Sequence, residues 1–392
     1  MTETLTTDTN TGAPSGIADS ARELIFGAAQ AKTHTIINLH ALHAVPPSLL
    51  NRDNLGAQKT VTHGGVVRVR VSSQCWKRAM RTWIRQQAIA GGAFAARTNR
   101  WPAAVAEVLS TQHSIDSDVA TAKAGAVFKA LGFKISDRGT TAAQIFAHQD
   151  TAIRIAEVIA ANLDRIGDNV APDIVDSART ALSVANAVDL ALFGRMLAEQ
   201  PIGGRIDGAV SVDHAMSVDP AAILEDFFTA VDDLTPEGEA ASGNLGVTDL
   251  SAPVFYRTAS IDVDQLRRNL AAATDPDALT AAATAVMIEA FATAVPSAKQ
   301  RSSNVGTRPS LLVATAGPAR LTAHNAFTVA IRGENVVADA TNALFEVLAA
   351  QGRFGSPQTP IALAGDPAAE KAIPPGIATV DSLAAFTAAV TQ

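Results

Sequence analysis

An α+β sandwich of the ferredoxin-like type is the fold class this sequence predicts, and three observations carry the prediction. Strand-like runs of alternating apolar residues are separated by helical segments. An Ala-rich stretch of helical character interrupts them between about residues 86 and 188, as an insertion would. The chain of 392 residues, 47% apolar and 18% charged, is long enough for a substantial core and for two lobes.

The elements follow in order. Residues 1–33 open with the Thr-rich MTETLTTDTNTGAPSG, which has no apolar period and is expected to be disordered, then a short amphipathic piece at 18–31. HTIINLHAL at 34–42 reads as a strand that ends before Pro46 and Pro47. A loop then carries Arg52 and Lys59 to VVRVRV at 66–71, where Val67, Val69 and Val71 share one sheet face while Arg68 and Arg70 share the other. One face is expected to be core and the other cationic. Ser72 or Ser73 caps the helix that follows, with Gln74 at the same junction.

Helical patterns at roughly 101–111, 117–131, 140–165 and 173–199 make up the insertion. Strand signals return at 206–218, and LEDFFTAVDDL at 224–234 is a junction. The polar, glycine-containing stretch 235–252 has the length of a protruding hairpin or functional loop. Helices at about 263–272 and 276–294, a strand at 309–315, a helix near 338–351 and a last one from Asp381 complete the body.

Charge is unevenly spread. The whole chain has 31 basic and 38 acidic residues, a net of -7, yet residues 51–85 hold eight basic side chains (Arg52, Lys59, Arg68, Arg70, Lys77, Arg78, Arg81, Arg85) against Asp53 alone. Such a concentration suits a polyanion, because each Lys or Arg displaces a counterion condensed on a phosphate backbone. Lys77, Arg81 and Arg85 fall at i, i+4 and i+8 as a basic ridge flanked by Arg78. Cations in a first turn oppose the helix dipole, which points to an anion as the intended occupant. The alternative is a solvated helix face with snorkelling arginines.

Other function classes find little support. No Walker loop, G-x-G-x-x-G or G-x-S-x-G occurs, so no cofactor and no serine-hydrolase chemistry is expected. Cys75 is the single cysteine, which excludes an intramolecular disulfide and a cysteine-based zinc site within one chain. His40 and His43 stand three apart on a strand and face opposite ways, so no metal site is expected. There is no apolar run of membrane-spanning length and no signal-peptide order at the start, which predicts a cytoplasmic protein without a membrane partner. Asp53 beside Arg52 is either a general base for RNA cleavage or an ion-pair partner. Asp232 and Asp233 are either paired carboxylates or solvated acids. Two further clusters are candidate RNA contacts: Lys299, Gln300 and Arg301 after the helix ending at Pro296, and Met196, Phe227, Phe228 and Leu245, read either as core or as exposed wedges for bases.

NLHALHAVPPSLLNRDNLGAQKTVTHGGVVRVRVSSQCWKRAMR resembles the amino-terminal signature of the type I-E CRISPR Cascade backbone subunit, the CasC family. DLALFGRM at 189–196, DGAVSVDHAMSV at 207–218, DFFTAVDDL at 226–234, APVFYRTASIDVDQLRRNL at 252–270 and VPSAKQR at 295–301 agree in order and spacing, so the resemblance spans roughly residues 34–312. It implies a hand-shaped molecule. An RRM-like palm would come from 34–85, 189–234 and 253–392, helical fingers from 86–188, and a thumb from 235–252. Copies would form a helical filament along one CRISPR RNA beside other Cascade subunits, leaving guide bases free for target DNA.

On this chain Arg52, Lys59, Arg70, Gln74, Lys77, Arg78 and Arg81 would hold guide phosphates, joined from the local pattern by Arg68 and Ser72. Met196, Phe227, Phe228 and Leu245 would wedge a displaced base. Phe227 and Phe228 stand where the family often has a Trp-Phe pair, so aromatic stacking is kept and an indole N–H is lost. The expectation is a noncatalytic RNA scaffold. Its rivals are a metal-dependent endoribonuclease like type III backbone subunits, using Asp53 or Asp232 and Asp233, and a self-assembling protein without nucleic acid.

Overall fold

The structure, a computed structural model, describes residues 35–136, 138–184, 186–195, 205–231, 242–354 and 359–391. The expectation for residues 1–33 lies outside them. The chain enters on β1 (Ile36–Ala44), then a hairpin of β2 (Thr60–His63) and β3 (Val66–Val71), and α1 (Ser73–Ile84). Gly64 at the hairpin turn has φ +57°, and a Cβ there would fall 1.6 Å from the Thr328 carbonyl oxygen, so only glycine lets the turn seat against that backbone.

The insertion follows: β4 (Ala95–Thr98), α2 (Trp101–His113), α3 (Ser117–Ala130), β5 (Ile145–His148), α4 (Thr151–Ala160) and α5 (Pro172–Leu182). The sequence pattern ran one helix through 140–165; β5 occupies its first part and pairs antiparallel with β4. After α6 (Val188–Phe193) come β6 (Val210–Val212), β7 (Ala215–Ser217), a hairpin of β8 (Leu224–Val231) and β9 (Ser242–Leu250), then β10 (Val254–Asp262). α7 (Val263–Asn269), α8 (Pro276–Thr293) and α9 (Gln300–Ser303) lead to β11 (Leu311–Gly317). α10 (Val336–Gln351), β12 (Ile361–Ala364), α11 (Pro367–Ala372), β13 (Ala378–Thr379) and α12 (Leu383–Thr391) end the chain.

Among the described residues nine strands form the main sheet in the order β13-β12-β11-β1-β10-β7-β3-β2, with β6 also on β10. β1 is antiparallel to both β10 and β11, and β10 is antiparallel to β6 and β7. The path β1, α1, β6/β7, β10, α7/α8, β11 is therefore the β-α-β-β-α-β unit of a ferredoxin-like sandwich, and the fold class predicted from the sequence is the one observed. β12 and β13 extend one edge, while β3 and β2 extend the other.

Strand alternation sorts the core. Ile37, Leu39 and Ala41 of β1 meet Trp76, Met80 and Ile84 of α1 and Met287 and Phe291 of α8. Leu42 of the same strand joins Tyr256, Val313, Phe327 and α10's Leu344 on the opposite face. The insertion has its own core around Val105, Leu109, Phe128, Ile155 and Ile174. Among the described residues no helix is long and apolar enough to cross a membrane.

The protruding hairpin starts earlier than the sequence suggested. Its first arm is the segment read as a junction, paired from Leu224↔Leu250 to Val231↔Ser242. Leu224, Phe227, Phe228 and Val247 are all exposed on it. Phe227 and Phe228 are neighbours and so lie on opposite faces of the ribbon, and with both faces in water the arm lacks the one-sided alternation that marks a strand. The hairpin's base is tied down: the Gln58 N–H donates to Asp249 Oδ2 at 2.7 Å, and Ser251 Oγ donates to Gln58 Oε1 at 3.2 Å.

Candidate nucleic-acid interface

α1 organises the site. Its buried stripe is Trp76, Met80 and Ile84, so Arg78, half a turn away, is exposed, whereas Lys77 and Arg81 flank the stripe and are half-buried. Burial pulls the Lys77 ammonium below its usual pKa. The helix has no acid in its first turn. Ser72 caps it, its hydroxyl accepting from the Cys75 N–H at 3.3 Å.

A groove of about 1080 Å³ runs between α1, the loop 50–56 and the segment 293–308. It brings together Arg52, Arg78 and Gln300 of the predicted residues and adds Arg308. Its single acid among the described residues is Asp53, whose Oδ1 accepts from the N–H groups of Leu55 at 2.8 Å and Ala57 at 3.0 Å, a local turn in place of the ion pair with Arg52 weighed from the sequence. Arg308 donates to the Thr293 carbonyl at 3.2 Å and is otherwise exposed. It lies in an irregular stretch just before β11, where no periodicity singles it out.

A second cationic group gathers at the N-terminus of α1. Arg70 donates to His214 Nδ1 at 3.1 Å, and the same nitrogen accepts from the Ser73 N–H at 3.1 Å. His214 is therefore neutral with its proton on Nε2, held below its ordinary pKa by burial and then by Arg70, with Lys59 acting in the same sense. Gln74 is exposed beside them.

Three predicted contacts have other duties. Arg68 is fully buried: it donates to the carbonyls of Ser217 and Val218 at 2.8 Å each and of Phe327 at 2.9 Å. The face expected to be cationic is covered there by the turn His324–Phe327, which supplies acceptors where a phosphate would have to stand. Arg81 turns to α6 and the insertion, donating from Nε to Asp189 at 2.8 Å and from an amino group to the Ala95 carbonyl at 2.9 Å, with its guanidinium 4.3 Å from the Phe146 ring centre. Ser72 is buried and spent as the cap. Arg68→Ala is accordingly expected to lower the urea midpoint by an amount equivalent to at least about 3 kcal/mol, because three buried carbonyls lose charged donors. If the basic segment holds a polyanion as its charge pattern predicts, the salt dependence of that binding should be the same on the remaining folded protein.

Lys299 faces the hairpin: its ammonium donates to Thr248 Oγ1 and stands 6.0 Å from the Phe228 ring centre. Arg301 is exposed on α9. Met196, Asp232 and Asp233 lie outside the described residues, as does the side chain of Leu245. His40 and His43 are interior: His40 Nδ1 is 2.7 Å from Tyr256 Oη, and His43 sits between Thr307 and Arg257.

The sequence model of the CT1975-like protein family matches residues 37–384. Among solved structures, a chain of "CRISPR RNA-guided surveillance complex, pre-nicking" is 28% identical with a TM-score of 0.76, covering 91% of this chain and all 100% of that one. A chain of another "CRISPR RNA-guided surveillance complex" is 24% identical with a TM-score of 0.67, over 90% of this chain and 99% of that one, a likeness of fold. No curated protein matches.

Proposed function

We propose, from the premise that this chain belongs to the CT1975-like protein family, that it is a noncatalytic backbone subunit of a CRISPR RNA-guided surveillance complex that holds the guide RNA by its phosphates. The observation that carries the reading is the groove along α1, where Arg52, Arg78 and Arg308 face one acid whose carboxylate is already engaged. Cations of this kind gain counterion release from any phosphodiester chain and read no sequence, which leaves recognition to base pairing. The family match and the structural likeness support a Cas backbone subunit; the type I-E assignment rests on the sequence resemblance. In this reading copies of the chain line the guide beside other Cascade subunits, and target DNA is met through the guide. The exposed Phe227 and Phe228 on the hairpin would separate successive runs of bases.

Purification of the chain with a CRISPR array transcript and its neighbouring subunits, a high-salt wash and sequencing of the retained nucleic acid is the direct test. Discrete repeat-spacer RNAs that survive incubation with Mg²⁺ are expected. RNA cut under those conditions would select the endoribonuclease reading, and a folded assembly carrying no RNA would reject the proposal.

A further inference from the structure

We infer that the Trp83 indole is a base-stacking platform inside the groove, so that the site grips single-stranded RNA by its bases as well as by its phosphates. This rests on the RNA-holding reading above and adds a residue and a ligand surface to it.

The chain has three tryptophans, and two are interior. Trp76 is 2% exposed beneath the Arg257 guanidinium, 3.7 Å from its ring centre, and Trp101 is 3% exposed with its indole N–H donated to the Ile145 carbonyl at 3.0 Å. Trp83 is different. It is half-buried, packed on one side against the palm core and lining the groove on the other. Among the described residues no aromatic ring or cation stacks on it.

Its neighbours keep that surface open. Side chains on a helix lean toward its N-terminus, so the indole at 83 leans toward residue 79, and residue 79 is alanine. Ala79 and Thr82, both lining the groove, are too short to cover the ring. Arg78 stands on the same helix, with Arg52 and Arg308 on the other walls. A single-strand groove needs these two components together, cations that follow the backbone and an aromatic face that accepts any base. The volume of about 1080 Å³ exceeds the roughly 300–1,000 Å³ of small-ligand pockets and suits a length of polymer. The occupant is therefore a nucleobase of single-stranded RNA, taken without sequence preference beyond the stronger stacking of purines.

The burial of the other two tryptophans makes the test specific. Full-length protein is titrated with an adenylate RNA oligomer, a uridylate oligomer and a base-free ribose-phosphate oligomer of the same length, following tryptophan emission and affinity. Adenylate RNA should quench the solvent-accessible emission more than uridylate does, and the base-free chain should bind with the same salt slope but without quenching. Trp83→Leu should remove the quench and weaken adenylate binding by roughly 5- to 150-fold while leaving base-free binding unchanged, and Trp83→Phe should recover most of the loss. RNA binding without quenching of the wild type, or a Trp83→Leu loss equal for adenylate and base-free oligomers, would overturn the inference and leave the groove reading standing. Failure of the wild type to bind any of the three would instead strike the groove reading itself.

Discussion

Alanine at Arg52, Arg78 and Arg308 together is expected to flatten the logarithmic salt dependence of single-stranded RNA binding by about 2, since each lost phosphate contact removes roughly 0.7. The three line one groove and none shares an ion pair with a carboxylate among the described residues. Between about 1 M and 0.15 M salt, three such contacts gain on the order of 50-fold through counterion release, which is the affinity the variant should forfeit at the lower salt. The loss should be the same for every sequence. Filter binding or anisotropy over a salt series measures it. A matched control replaces Arg165, Arg179 and Arg267, two exposed and one half-buried side chain already paired with Asp173, Asp176 and Asp277, and should leave the slope where it was. Equal slopes for the wild type and the groove variant would take the RNA elsewhere.

Acid is the second large lever, and it acts on the palm. His40 is held neutral at the centre of the sheet, its pKa lowered to about 4 by burial and then by His324. His43 is lowered to about 3, first by burial, then by the Arg257 guanidinium, with the Thr307 carbonyl working in the opposite direction. In the unfolded chain both titrate near 6.5. Between those values the unfolded state binds protons that the native state refuses, so stability is complete above about pH 6.5 and is lost as pH falls toward 4 and then 3. From pH 7 to pH 5 each imidazole costs about 2 kcal/mol, about 4 kcal/mol for the pair. Urea midpoints at pH 7, 6 and 5 should fall accordingly, and His43→Gln should remove about half of the histidine contribution. A midpoint independent of pH over this range would mean that the native imidazoles take up protons freely.

Much of the palm was legible in the sequence because β3 alternates along VVRVRV and β1 is an apolar run closed by Pro46 and Pro47. β1 and α1 could be read from HTIINLHAL and from the Ser72 or Ser73 cap with Lys77, Arg81 and Arg85 at i, i+4 and i+8. The ferredoxin-like path followed from strands separated by helices. What escaped depends on distant partners. The two-faced alternation of β3 is a local fact, but Arg68 is interior because the turn His324–Phe327 comes back over it from some 260 positions further along. Arg81 shares a ridge with Lys77 on paper, yet Asp189, 108 residues away, claims it. The groove itself was half visible: Arg52 and Arg78 come from the conspicuous basic segment, while Arg308 and the opening beside Trp83 exist only once α8 and the segment after it fold against α1.

The carboxylate of Asp189 has a consequence for how this protein can vary. It is fully buried and receives both Arg81 Nε and the Ala95 N–H, at 2.8 and 2.7 Å, while Phe146 of β5 lies under the Arg81 guanidinium and that of Arg97. The insertion, with a core of its own, is thus keyed to α1 through the Asp189 carboxylate, the Ala95 carbonyl and the Phe146 ring. On the proposed reading, changes in its outer helices leave the groove on α1 untouched so long as that key is kept, so the region acts as an exchangeable cassette that a designer can lengthen, trim or recharge without rebuilding the groove.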